Sequence, residues 1–288
     1  MARYGTIPYS GTMRPLRIAA LAALLALATA CSDDAGSPSV PTTAPTTSTV
    51  ASSTTTVTTS IPSTAPTTPT SAPELNPAGL GDPYFPTLGN AGYDVEHYLL
   101  DLTVDPDANI IQGEATLTAT ATAALDVFHL DLLGLLVDDI AVDGAPAAFT
   151  RDGAELIIDP AGVIPAGEAF TTTVIYHGTP ELLYTIGFPL GWVDAGDITF
   201  VVAEPDAART WFPANDHPAD KAAFTFRVTV PAGLTVAANG TLVDTIENGG
   251  TTTFVWDLPQ PMATYLATVV IGDLVRLDRV SPNGVPLR

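Results

Sequence analysis

Tyr98, Leu100, Leu102 and Val104 alternate with Leu99, Asp101 and Thr103, and this period of two constrains the chain more than any other feature. It recurs in Phe224, Phe226, Val228 and Val230, in Phe170, Thr172, Val174 and Tyr176, and in Thr252, Phe254, Trp256 and Leu258. Successive side chains of an extended strand point to opposite faces, so each run predicts a strand whose apolar face must be covered by other strands. Helical spacing is nearly absent, and no segment repeats at a fixed interval. Asp143-Gly144, Asp152-Gly153, Asn239-Gly240 and Asn248-Gly249-Gly250 separate such runs and predict tight hairpin turns. Asn239-Gly240-Thr241 also fits the N-glycosylation sequon, but the hairpin turn is the favoured reading. Many short strands with this punctuation predict an all-β fold, an antiparallel sandwich or open barrel.

The strands do not begin until well into the chain. Arg14 and Arg17 precede an apolar and small run, Ile18 to Ala30, that is short for a bilayer span and fits the h-region of an export signal. The run ends in Leu27-Ala28-Thr29-Ala30-Cys31, which resembles the lipobox of bacterial lipoproteins. That resemblance implies acylation of Cys31, holding the mature chain on a membrane surface through buried methylenes. An ordinary signal cleaved near Ala30 is the alternative. From Ser37 to Pro73 there are 8 Ser, 14 Thr and 7 Pro and no charged residue. Such a segment buries too little apolar surface to offset its conformational entropy, so residues 32–82 are expected to form a disordered tether. Residues 1–31 are thus the signal, 32–82 the linker and 83–288 the folded β domain.

Charge and cysteine content narrow the function. Of 10 basic and 31 acidic residues, Arg3, Arg14 and Arg17 precede Cys31, so the mature chain carries 7 basic and 31 acidic residues and a formal charge of −24. Phosphate-backbone recognition needs the opposite sign, which argues against nucleic acid as a partner. One cysteine excludes an intrachain disulfide, and four scattered histidines offer little for a metal site.

The densest motif runs Glu204-Pro205-Asp206-Ala207-Ala208-Arg209-Thr210-Trp211-Phe212-Pro213-Ala214-Asn215-Asp216-His217-Pro218-Ala219-Asp220-Lys221-Ala222-Ala223-Phe224. It resembles the N-terminal domain of the aminopeptidase N family of gluzincin zinc metallopeptidases. Tyr93-Asp94-Val95-Glu96-His97-Tyr98 is similar to that family's opening strand, Ile111-Gln112-Gly113 to its first hairpin and Tyr176-His177-Gly178 to the end of a later strand. Ala238-Asn239-Gly240, Met262-Ala263-Thr264-Tyr265-Leu266-Ala267 and Ile271-Gly272-Asp273 follow in the family's order. The resemblance implies a large antiparallel β-sandwich or saddle packed on a catalytic domain, whose zinc is held by His-Glu-x-x-His and a downstream glutamate. His97, His129, His177 and His217 are followed by Tyr, Leu, Gly and Pro, so no His-Glu pair exists here. The chain is therefore expected to be a fragment with no cofactor of its own, the zinc belonging to a catalytic domain of the same parent polypeptide.

Within the motif, Glu204 matches the family position that reaches the substrate N-terminus, where a carboxylate gives the free ammonium group a charge-assisted hydrogen bond. Val202 stands where the family often has Gln. Pro205 permits a cis bond after Glu204. Arg209, Asp216 and Lys221 are expected to pin the loop by charge pairing, and Trp211 and Phe212 to pack in the core. Each histidine is read as a hydrogen-bonded structural residue. Two functions follow. The first is the N-terminal part of an exported, lipid-anchored, cell-surface zinc aminopeptidase, inactive by itself, with a peptide N-terminus as ligand. The second is a non-catalytic surface binding or scaffolding module of the same fold.

Overall fold

The structure, a computed structural model, describes residues 79–184, 187–284 and 286–287. The predicted signal, Cys31 and residues 32–78 of the predicted tether lie outside the described residues. The chain runs through β1 (Tyr93–Asp105), β2 (Ile110–Ala121), β3 (Phe128–Asp131), β4 (Leu136–Val142), β5 (Ala145–Pro146) and β6 (Ala148–Asp152). It continues through β7 (Glu155–Asp159), β8 (Ala169–Gly178), β9 (Leu182–Leu183), β10 (Leu190–Asp194), β11 (Ile198–Val202) and β12 (Lys221–Pro231). The last third holds β13 (Thr235–Ala238), β14 (Thr241–Glu247), β15 (Thr251–Ala263), β16 (Val269–Gly272), β17 (Arg279–Val280) and β18 (Pro286–Leu287).

One sheet has eight strands in the order β14-β15-β12-β1-β2-β8-β4-β5, a second has five in the order β13-β16-β11-β10-β9, and β3-β7-β6 forms a third. β17 and β18 make a separate two-stranded ribbon. The all-β expectation holds, and the alternating runs are the strands that build the large sheet. Tyr98, Leu100, Leu102 and Val104 of β1 face the core beside Phe224, Phe226, Val228 and Val230 of β12, all buried. Tyr98 stacks on Phe224 at 4.9 Å between centroids, and Phe224 on Phe226 at 5.5 Å. The opposite face carries polar pairs such as Arg227 with Asp101 at 2.9 Å and Thr229 with Thr253 at 2.8 Å. Gly113, inside β2, lies opposite Tyr176 of β8; a Cβ there would sit 2.4 Å from the ring, so the bare backbone makes room for that tyrosine.

Two features differ from the sequence expectation. The large sheet is not wholly antiparallel, because β1 and β12 at its centre run parallel, pairing Tyr98 with Phe224 and Leu100 with Phe226. Parallel neighbours need a long crossover, and here the chain from Pro106 to Asp220 supplies it. Asn239-Gly240 is not a hairpin turn, since β13 pairs with β16 in the five-stranded sheet while β14 pairs with β15 in the eight-stranded one. It is the point where the chain switches sheets. The Asn239 side chain donates to the Leu266 carbonyl at 3.1 Å and accepts from the Thr268 N–H at 2.7 Å, fixing the crossing. Gly240 has φ +92, and a Cβ there would lie 2.2 Å from the Asp257 carbonyl oxygen, so no other residue fits without moving backbone.

Candidate functional site

β11 delivers the chain to a loop, Ala203 to Asp220, that carries the motif up to Asp220, its last four residues opening β12. Glu204 comes first, exposed, and is joined to Pro205 by the cis peptide bond that the sequence allows. Its carboxylate forms no hydrogen bond or ion pair with any described residue. Beyond it the loop turns inward, and Asp206 to His217 are buried except for the half-buried Arg209. The Ala207 N–H closes the turn onto the Ala203 carbonyl at 2.8 Å, and a single 3-10 turn follows at Ala208–Thr210. Trp211 and Phe212 are fully buried, as expected, with Trp211 5.8 Å from Trp192 and 4.6 Å from Phe212 between ring centroids. The Tyr176 hydroxyl donates to the Trp211 carbonyl at 3.1 Å, tying the loop to the large sheet.

A buried irregular loop has no ladder to satisfy its backbone N–H groups, so side chains must do it. Asp216 Oδ2 accepts from the Arg209 N–H at 3.1 Å, Asp131 Oδ2 from the Asp216 N–H at 2.8 Å, and Tyr98 Oη from the Asn215 N–H at 3.0 Å. Asn215 in turn accepts from the Asn90 N–H at 2.6 Å and donates to the Asn90 carbonyl and to Asp220. Asp220 accepts from the Val95 N–H at 3.2 Å, Asp216 from the Thr264 hydroxyl at 2.7 Å, and Asp131 from Asn90 Nδ2 at 3.1 Å. The segment ahead of β1 joins the same network, for Asp82, at the end of the stretch assigned to the linker, lies 3.2 Å from His217 Nε2.

The charge pairing differs in detail from the expectation. Arg209 Nη2 binds Asp206 at 2.8 Å rather than the Asp216 carboxyl, because Asp206 lies one short turn away on the same loop. Asp216 pins the loop through a backbone N–H and a threonine hydroxyl instead. Lys221 is exposed and enters no ion pair among the described residues, keeping its strongly hydrated ammonium in water. Asp131, Asp216 and Asp220 are buried and enter no ion pair among the described residues. Burial, and then the Asp216 charge, hold Asp131 well above the usual carboxylate range. Burial also raises Asp216, against the Thr264 hydroxyl and the Arg209 N–H, and it pushes Asp220 up to about 7 with a smaller contribution from Asp94.

The histidines are hydrogen-bonded as expected: His97 to Thr225 at 3.0 Å, His129 to Glu155 at 3.3 Å and His177 to Asp138 at 2.7 Å. His217 accepts from the Ala219 N–H at 3.1 Å besides meeting Asp82. Among the described residues no three His, Cys, Asp or Glu side chains converge in an arrangement fit for a metal ion. Asn90, Asp131 and Thr264 escaped the sequence reading, and nothing local marks them, since Asn90 lies 125 residues from Asn215 and Asp131 lies 85 from Asp216.

Fold and loop together define a class, a β domain built around one inwardly folded polar loop with the Glu204 carboxylate exposed at its start. The family profile described as the peptidase M1 N-terminal domain matches residues 94–266, and the chain belongs to that family. The chain is 29% identical over 206 residues to an aminopeptidase N of Acetobacter pasteurianus, covering 66% of this chain and 55% of that protein. It is 28% identical over 144 residues to a leucyl aminopeptidase of Saccharolobus solfataricus, covering 50% of this chain and 18% of the other. The crystal structure of an M1 zinc metallopeptidase from Deinococcus radiodurans superposes with a TM-score of 0.66 at 34% identity, over 71% of this chain and 47% of that one. The chain thus spans about half the length of these relatives or less.

Proposed function

We propose that this chain is the substrate-recognising N-terminal β domain of an exported, lipid-anchored zinc aminopeptidase, with Glu204 receiving the free ammonium group of a peptide. The observation that carries the reading is Glu204 itself, an exposed carboxylate without a partner among the described residues, at the start of a loop that is otherwise largely buried. Related structures are described as M1 zinc metallopeptidases bound to L-arginine and to a Tyr-Ser-Ala substrate, both of which carry a free α-amino group. A carboxylate held on a rigid loop gives that group a charge-assisted hydrogen bond and sets how far the peptide enters. In this reading the zinc sits in a second domain of the parent polypeptide; one related structure is described as a two-domain M1 zinc metallopeptidase. There it would activate water for hydrolysis. Acylation of Cys31 and the uncharged stalk would hold the acidic domain at the outer membrane surface.

The coding sequence downstream of Arg288 tests this reading first. An in-frame His-Glu-x-x-His supports it, while an immediate stop codon would favour a non-catalytic binding module. In the encoded polypeptide, Glu204→Gln keeps the side-chain size and removes the charge. It is expected to lower kcat/KM for aminoacyl reporters by about 10- to 100-fold, chiefly through KM. Unchanged kcat/KM would remove Glu204 from substrate recognition. For the anchor, Cys31→Ser is expected to abolish incorporation of labelled fatty acid into the exported protein, and undiminished incorporation would overturn the lipoprotein reading.

A further inference from the structure

Three Asn-Gly pairs occur among the described residues, and the structure treats them very differently. Asn239 has both ends of its side chain engaged, donating to Leu266 and accepting from Thr268, and a Cβ on Gly240 would strike the Asp257 carbonyl. At Asn283-Gly284 the glycine N–H is spent on the Ser281 carbonyl at 2.9 Å. At the tip of the β14–β15 hairpin the pair Asn248-Gly249 has neither restraint. Both residues are exposed, neither the Asn248 side chain nor the Gly249 N–H has a hydrogen-bond partner among the described residues, and there is open space around the Gly249 Cα. Only the Asn248 backbone is held, through its N–H to the Thr251 carbonyl at 2.9 Å and its carbonyl to the Gly250 N–H at 2.8 Å.

We propose that Asn248 is a spontaneous modification site of this domain, converting to aspartyl and isoaspartyl forms through a succinimide, while Asn239 and Asn283 are protected by the fold. The backbone nitrogen of Gly249 attacks Cγ of Asn248. A C–N bond forms as the bond to the side-chain amide nitrogen breaks, and the Gly249 proton leaves with that nitrogen as ammonia. Water then adds to either ring carbonyl, the ring nitrogen regains a proton, and the chain carries a new carboxylate with a normal or a side-chain-linked backbone. No oxidant or reductant is involved. A glycine on the C-terminal side favours attack because no Cβ blocks the approach, and a loop tip allows the backbone to reach the required geometry.

The consequence is local. The isoaspartyl form adds a methylene to the backbone at the end of β14, the edge strand of the large sheet, where the two hydrogen bonds of Asn248 close the hairpin. The strand end is the segment expected to fray.

The full chain, incubated folded in mildly alkaline buffer and followed by peptide mapping with fragmentation that separates aspartyl from isoaspartyl forms, tests the proposal. The peptide containing Asn248 should gain one mass unit about tenfold or more faster than that containing Asn239, a factor that two ordinary neutral hydrogen bonds can supply. The Asn283 peptide should also lag. The same incubation in denaturant should bring the three rates together, because the dipeptides are alike. Asn248→Gln, a change at an exposed side chain that is expected to leave the fold intact, should abolish the fast phase. Faster conversion at Asn239 or Asn283 in the folded chain, or an order that persists in denaturant, would overturn the proposal.

Discussion

Raising the pH from about 4 to about 8 is expected to destabilise this domain by up to ~4 kcal/mol through Asp220 alone, and Asp220→Asn is expected to remove that share of the slope. Burial lifts Asp220 from the ordinary 3.8 to about 7. Between those values the folded chain holds a proton that the unfolded chain has released, so stability falls as pH rises through the window, at about 1.4 kcal/mol per unit. Asp131 and Asp216, raised by burial, act in the same direction. Asp82 acts in the opposite one, since the Tyr84 and Phe85 N–H groups hold it below the usual range, so its contribution is lost as the pH falls past that range. An optimum on the acid side of neutrality follows. Urea or thermal unfolding across this range would show it. A flat or rising profile between about pH 5 and 8, or parallel profiles for the parent and Asp220→Asn, would contradict the assignment. The same network holds the segment around Asn90 and the loop behind Glu204, so its ionisation should loosen the loop that presents the free carboxylate.

Trp211→Ala is expected to cost about 3–5 kcal/mol, a fall in melting temperature of roughly 10 °C for a domain of this size. The indole is fully buried between Trp192 and Phe212, in a place where nothing can collapse without moving the loop. Its Nε1–H has no acceptor among the described residues, so Trp211→Phe should cost less, about 1–2 kcal/mol, by removing a buried donor along with part of the ring. Tyr184→Ala, at a side chain 70% exposed, should change stability by less than about 0.5 kcal/mol. Equal losses at positions 211 and 184 would mean that the loop does not form part of the core.

Much of this was legible in the chain. The alternation around Tyr98 and Phe224 marked the two central strands, because side-chain direction in an extended backbone depends on neighbouring residues alone. The motif from Glu204 to Phe224 placed the candidate carboxylate, and bulky Trp211 and Phe212 were readable as core from their size. The partner of Arg209 was not legible, since several carboxylates lie within reach in sequence and only the path of the loop selects Asp206. Asn239-Gly240 carries the composition of a hairpin turn, yet the strands on either side belong to different sheets. Turn chemistry reports the backbone angles at two residues and says nothing of where the next strand finds its partner.

The sequence by itself determined the strands, their inward faces, the family and the acidic charge of the domain, all of which follow from local patterning and residue chemistry. The tertiary structure decided that β1 and β12 lie side by side in parallel, and it brought Asn90, Asp131, Asn215, Asp216 and Asp220 into one buried network. It also decided which of three identical Asn-Gly pairs is left open. The physical reason is common to all three. A contact between residues a hundred positions apart forms only when the whole sheet closes, and only then do burial and hydrogen bonding set the proton affinity and reactivity of a side chain.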